Sequence, residues 1–312
     1  MRAGRLWYRS AMPDILYKGR WTGGEVAFAY AVTTDTVAEV VRRHDCDPVS
    51  AHVLGRALTG SVLAASSLGE GERLNVRWAY EGLLRTVVVD AGPDGATRGF
   101  ISPTSLAEAA DAEALYGPGG EVKVIRSHHG HVLASGTVRA ELQDVVQDVV
   151  YFQCISDQVE SGAMVMIHLQ PDPARPVALC RGLLLHALPG ADPMRFHRLR
   201  SRLVDEAVRD LMSRDIEPDN LLEDVLRRVA GEDRKLGAVE YQAAPPPHFR
   251  CTCNRHKMGA VLRALPIPDR MDMVKKKEDV VVNCRFCCER YVLTVEDCIR
   301  AWNTKPGQDP VE

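Results

Sequence analysis

Five residues near the C-terminus, Cys284-Arg-Phe-Cys287-Cys288, hold three thiols. Cys251-Thr-Cys253 supplies two more, with 30 residues between the groups. A Cys-x-x-Cys pair on a tight turn can aim both sulfurs at one ion. A Cys-x-Cys pair on an extended segment points both to one face. Four thiolates so gathered, Cys251, Cys253, Cys284 and Cys287, suit a tetrahedral Zn2+ ion, which is soft enough to prefer sulfur. An iron–sulfur cluster is the competing reading. A metal-free cluster is disfavoured, because adjacent thiolates repel without a cation. Cys288 is the spare thiol and a possible alternative ligand. Pairing it with Cys287 closes a strained ring between sulfurs that point apart, so Cys284 and Cys287 are preferred. Cys298 reads as a buried helix residue.

A lobe of fewer than about 60 residues is marginal without a staple. Zinc binding to such a site carries on the order of 10–16 kcal/mol of coupled folding energy, so removing the ion should unfold the lobe. Zinc also keeps thiols deprotonated, the state that attacks oxidants. Four packed sulfurs can close two short-range disulfides and expel the ion. A closed structural knob and a redox switch use the same ligands, and spacing does not choose between them.

The rest of the chain must position this cluster. Its 312 residues carry 46% hydrophobic and 26% charged side chains and a formal net charge of −3. That is an ordinary globular composition, long enough for about two domains. No global basic excess points to nucleic acid, and no apolar run reaches the ~18 residues of a membrane span. The N-terminus is broken by Arg5, Arg9, Pro13 and Asp14 and lacks the apolar run of a secretory signal. A cytoplasmic location is expected. The nine cysteines, six of them after residue 250, then suggest metal or redox chemistry.

Residues 1–190 read as a mixed sheet-and-helix domain. Leu74, Val76, Trp78 and Tyr80 alternate with Asn75, Arg77 and Ala79, the period of a half-buried strand. LRTVVVDAGPDG predicts a second strand and a turn. EVKVIRSHHGHVLASGTVRA predicts a hairpin with Gly130 near its tip. MVMIHL and VALCRGLLLHAL are further strands. Thr36 with Glu39 forms a candidate capping box. PVSAHVLGRALTGSVLAASSLG predicts a helix opened by Pro48, and Leu142, Val145, Val146, Val149 and Val150 make another helical face. The expected class is α+β, a sheet of several antiparallel strands packed with helices.

Residues 191–246 predict a helical linker. Phe196, Leu199, Leu203, Ala207 and Leu211 make one stripe; Leu221, Leu222, Val225, Leu226 and Val229 make a second before Gly231. AAPPPH closes the segment as a stiff extended run. Such helices cannot bury their faces alone and must lean on a neighbouring domain. Residues 247–303 form the cysteine lobe, with a helix over MGAVLRAL and a last one capped by Thr294 and Asp297. The tail, 304–312, is short and polar.

FRCTCNRHKMGAVLRALP followed by VNCRFCCERYVLTVEDC resembles the zinc lobe of the redox-regulated 33-kDa heat-shock chaperones, with Tyr291 matching a tyrosine of that family. LTGSVLAASSLGEGERLNVRWAYEGLLRTVVVDAGPDGATRGFI and DVVYFQCISDQVESGAMVMI resemble its N-terminal domain. The resemblance implies one zinc per chain in the reduced form, held by Cys251, Cys253, Cys284 and Cys287. It implies that oxidation pairs Cys251 with Cys253 and Cys284 with Cys287, releases the zinc and unfolds the lobe. The 191–246 segment then loosens, and the chain, usually a homodimer, holds unfolding client proteins without ATP. Loss of the surface on which the linker helices lean would couple lobe to linker. Cys288 departs from the glycine usual at that position, and a non-glycine residue there strains a left-handed backbone.

Other signals are discounted. His128, His129 and His131 fall at a hairpin tip, where solvated polar residues belong. Cys46, Cys154 and Cys180 read as buried small hydrophobes, and His52 as a core or edge histidine. No phosphate-binding glycine fingerprint or Gly-x-Ser-x-Gly elbow is present, so no enzymatic activity is expected. A zinc-ribbon nucleic-acid binder using Lys275, Lys276 and Lys277 with the linker arginines is the alternative. It would bind with strong salt dependence. Nucleic acid and membrane are otherwise not expected partners.

Overall fold

The structure is a computed structural model and describes residues 13–303 apart from 215 and 278. The chain divides between Arg250 and Cys251 into two compact units. The N-terminal residues 1–12 and the tail read above lie outside the described residues.

The first unit is built on two sheets. β1 (Ile15–Trp21), β2 (Val26–Val32), β8 (Ser161–Leu169), β9 (Val177–Ala187) and β10 (Val239–Ala244) form one, in the order β10-β1-β2-β9-β8. β3 (Glu72–Tyr80), β4 (Thr86–Ala91), β5 (Ala96–Ser102), β6 (Gly120–His128), β7 (His131–Arg139) and the short β11 (His248–Phe249) form the other, in the order β11-β5-β4-β3-β6-β7. All pairings are antiparallel except β11 on β5. The alternation in β3 buries Leu74, Val76, Trp78 and Tyr80, and the β6–β7 hairpin turns at His129 and Gly130, both at positive φ.

Helix α1 (Thr34–Arg43) and the small-residue helix α2 (Pro48–Ala65) pack into the core between these sheets with α4 (Val145–Ile155). The small side chains of α2 allow close approach. A Cβ on Gly55 would lie 2.5 Å from Ile167. α2 starts at Asp47, whose carboxylate accepts from Ser50 N at 2.7 Å. Thr36 and Glu39 do not form the expected capping box. Thr36 lies inside α1, and its amide and hydroxyl both donate to Asp14, a residue distant in sequence. Glu39 instead pairs with Arg42 and Arg43. Leu142 lies before α4 and is 51% exposed, so that helical face begins at Val145.

The segment after β9 folds as α5 (Pro193–Leu203), α6 (Glu206–Met212) and α7 (Pro218–Ala230). The expected stripe breaks at Val204. Asp205 opens a new helix, and Val208 and Met212, rather than Ala207 and Leu211, become buried. In α7, Leu221, Leu222, Val225, Leu226 and Val229 are all fully buried. These faces lean on the first unit's own five-stranded sheet, against Trp21, Phe28, Tyr30, Val32, Leu183 and Leu185. The reading that they lean on the cysteine lobe is corrected accordingly. β10, which follows, is not among the elements expected from sequence. It is an edge strand with mostly exposed side chains, so it shows no apolar alternation.

In the second unit, α8 (Arg255–Val261), α9 (Ile267–Lys276) and α10 (Val295–Asn303) surround a two-stranded ribbon, β12 (Val280–Asn283) with β13 (Arg290–Leu293). Its buried apolar core is thin: Leu262, Leu293 and Cys298, flanked by half-buried residues including Trp302. Thr294 and Asp297 form the expected reciprocal cap of α10. Among the described residues no helix is long and apolar enough to cross a membrane.

Candidate metal centre

Cys251 and Cys253 lie on the extended chain just before α8. Asn254 stops that extension by capping α8, its side chain accepting from Lys257 N at 2.8 Å. Cys284 and Cys287 sit on the turn joining β12 to β13. Cys284 N donates to Glu289 O and Cys288 N to Cys284 O, each at 2.9 Å. These backbone bonds close the turn and direct both sulfurs inward, a feature that residue spacing hints at and does not specify.

The four sulfurs lie within 4.8 Å of one another. Cys251 Sγ is 3.7 Å from Cys284 Sγ, and Cys253 Sγ is 3.2 Å from Cys287 Sγ. Ligands 2.3 Å from a tetrahedral ion stand about 3.8 Å apart, so the set fits one thiophilic cation. Cys284 and Cys287 are buried, Cys251 and Cys253 half-buried. Desolvation pushes the Cys253 thiol up. Desolvation, followed by its contact with Cys253, pushes Cys287 well above the ordinary thiol range. Thiolates gathered this closely repel one another and are held together by a positive charge. The Tyr291 hydroxyl lies 3.2 Å from Cys253 Sγ, and that hydrogen bond raises its own pKa.

Cys288 is exposed, stands at φ +60°, and is not one of the four clustered thiols. Cys298 is buried in α10. The remaining sequence candidates do not converge. Cys180 is fully buried in β9 beside Thr59, and burial pushes its thiol up to about 11. Cys154 is half-buried and also raised by desolvation. Neither is an acidified nucleophile. His128 and His129 pack edge to face at the hairpin tip, 4.2 Å apart. No third ligand joins them among the described residues. His52 lies on the exposed side of α2.

Two sheets clasping a helical core, a helical segment laid on one sheet, and a C-terminal lobe with four thiols define an α+β protein with a separate cysteine centre. The Hsp33 protein family matches residues 14–294, and the chain belongs to that family. It is 27% identical over 298 residues to a 33 kDa chaperonin of Listeria welshimeri, covering 92% of this chain and 97% of that one. It is 28% identical over 300 residues to a 33 kDa chaperonin of Synechococcus elongatus, covering 92% and 96%. The fold matches the crystal structure of a 33 kDa chaperonin from Thermotoga maritima with a TM-score of 0.75 at 22% identity, over 93% of this chain and 98% of that one.

Proposed function

We propose that this protein is a chaperone that holds unfolding proteins without ATP and is switched on by oxidation of its four-cysteine centre. The observation that carries the reading is the set of four sulfurs within 4.8 Å, in a lobe whose buried apolar cluster is small, built on Leu262, Leu293 and Cys298. Such a lobe stands on its ligands rather than on its packing.

In the reduced form Cys251, Cys253, Cys284 and Cys287 hold one zinc ion. When bound, the ion supplies the positive charge that keeps four thiolates together and ties the chain before α8 to the β12–β13 turn. Oxidation closes Cys251–Cys253 and Cys284–Cys287. Each closure takes two electrons from a pair of thiolates; one hydrogen peroxide accepts them, and with two protons from solvent yields two waters. None of the four sulfurs then offers a thiolate, and the thin apolar core does not hold the lobe by itself.

The functional divisions on this reading are 1–190 as the core domain, 191–246 as the releasable linker, 247–303 as the switch and 304–312 as a tail. Because α5, α6 and α7 lean on the five-stranded sheet, loss of the lobe acts on them through the chain, by way of β11 and the edge strand β10. Lifting them bares the apolar seam around Phe196, Leu226 and Leu183 to a client. The active form is a homodimer in the cytoplasm. No catalytic residue, membrane or nucleic acid takes part.

Light scattering from a thermally unfolding client tests this. Peroxide-treated protein at mild heat should suppress aggregation, reduced protein should not, and a thiol reductant should return the treated protein to inactivity. Equal suppression by the two forms would make the cysteine lobe a structural one.

A further inference from the structure

A cavity of about 630 Å³ opens in the first unit between the C-terminal end of α4, the end of β9 and the inner face of β3, β6 and β7. Its volume lies within the range of small-ligand sites. Leu74, Val76, Val124 and Phe152 give it apolar walls. Two buried side-chain atoms line it without a hydrogen-bond partner among the described residues. Gln153 is only 9% exposed, and its Oε1 has no partner; His186 Nε2 is likewise buried and unpartnered. Buried polar atoms are rarely left so, and an unpaired one commonly marks a missing partner.

The chemistry of that partner is constrained. The amide of Gln153 both donates and accepts, and a neutral imidazole does too. Burial holds His186 far below its usual pKa, at about 4, so it is neutral near pH 7. Arg126 and Asp157 stand at the cavity with opposite charges, near enough for Arg126 to oppose the rise that burial imposes on the Asp157 carboxyl. A ligand with net charge of either sign would meet one of them unfavourably. The pattern suits an uncharged, amide-bearing group with a large apolar side chain. The third wall, β7, is the outer strand of its sheet and, among the described residues, pairs on one side only. Its free edge can accept an extended chain, and Val132 and Leu133 stand exposed along it.

We propose that this cavity takes a large apolar side chain of a held polypeptide together with its adjacent peptide group, with Gln153 and His186 making the polar contacts. That occupant rests on the chaperone reading; the ligand chemistry of the cavity does not. The cavity lies outside the 191–246 segment, so a small probe should enter the reduced chain as well.

The test titrates N-acetyl-L-phenylalaninamide into the reduced, full-length, zinc-loaded protein and maps amide shifts by NMR. Shifts centred on Val124, Gln153 and His186 are expected. The Gln153→Leu variant, which keeps the volume and removes the amide, should bind at least about tenfold more weakly. The carboxylate analogue N-acetyl-L-phenylalanine should also bind more weakly. The oxidised variant should then suppress client aggregation less than the oxidised wild type. If the wild type shows no shifts there at saturating probe, or if Gln153→Leu binds as tightly, the cavity assignment fails whatever the holding assay gives. If the probe binds as described and oxidised Gln153→Leu holds clients like wild type, the polypeptide is the wrong occupant and the proposal falls. If oxidised wild type holds no client, the chaperone reading fails instead, and with it the occupant. Unchanged zinc content and melting of the variant guard against simple misfolding.

Discussion

Cys288 occupies a backbone conformation, φ +60°, that costs an L-residue about 1 kcal/mol relative to glycine. Its side chain faces solvent beside a closed turn. Cys288→Gly should therefore stabilise the lobe by about 1 kcal/mol and leave zinc at one per chain, as read by the chelator concentration that strips half the metal. A drop in zinc stoichiometry would make Cys288 a ligand. Asp148 tests the first unit in the same way. Its carboxyl is buried, accepts from Tyr80 Oη at 2.7 Å, and is pushed up to about 6 by desolvation. An unfolded aspartate titrates near 3.9, so the fold binds a proton that the unfolded chain has lost. That contribution is complete below about pH 4 and disappears as pH rises through 6. His186, held at about 4, works against this gain as pH falls, so the readout is the difference: urea unfolding followed by tryptophan fluorescence should show the change in stability from pH 7 to pH 5 to be less favourable in Asp148→Asn than in the wild type. Asp14, also raised to about 6 by burial, supplies a remaining part of that gain.

At the scale of elements, the cover formed by α5, α6 and α7 conceals a defect. Arg181 of β9 is completely buried on the face that carries Leu183 and Leu185, with the Tyr30 hydroxyl as its polar neighbour and no well-formed hydrogen bond at its guanidinium nitrogens. A buried charge that faces a neutral hydroxyl and no acidic partner is costly. Arg181→Leu should stabilise the cover by roughly 1–4 kcal/mol, seen as slower amide exchange across residues 193–230 in the reduced protein. Faster or unchanged exchange would show that Arg181 supports the cover. Legibility in the sequence follows from what each element needs. β3, α2, α7 and the cap of α10 were legible because their signals are local: alternation, a small-residue run, a full apolar stripe, a Thr-x-x-Asp. The cap of α1 was not, because Asp14 reaches it from before β1. β10 was not, because an edge strand with exposed side chains carries no period. The break at Val204 hid within a stripe that continues, one residue out of step, at Val208 and Met212.

For the whole molecule, the two units differ in what holds them. The first has a continuous apolar core between its sheets and a second one under α5, α6 and α7. The second unit has a small apolar cluster around Leu262, Leu293 and Cys298, and four clustered thiols. The four cysteines that cluster were legible from sequence, since both pairs are short motifs. The sequence preferred Cys284 and Cys287 and left Cys288 open as an alternative; the closed turn, with Cys288 exposed, is what sets it outside the cluster. Stripping the ion with a strong chelator under reducing conditions should erase amide protection across 255–303 while β3, β4 and α2 keep theirs. Loss of protection in both at once would mean that the centre supports the entire fold.

The central claim is that the redox state of four sulfurs governs holding. The most direct measurement follows zinc release and suppression of client aggregation in one sample as peroxide is added stepwise at mild heat. The account predicts that the two rise together, with no holding before zinc leaves, and that replacing Cys284 and Cys287 by serine uncouples holding from peroxide. Holding that is already complete with all zinc bound, or absent after all zinc has left, would contradict it.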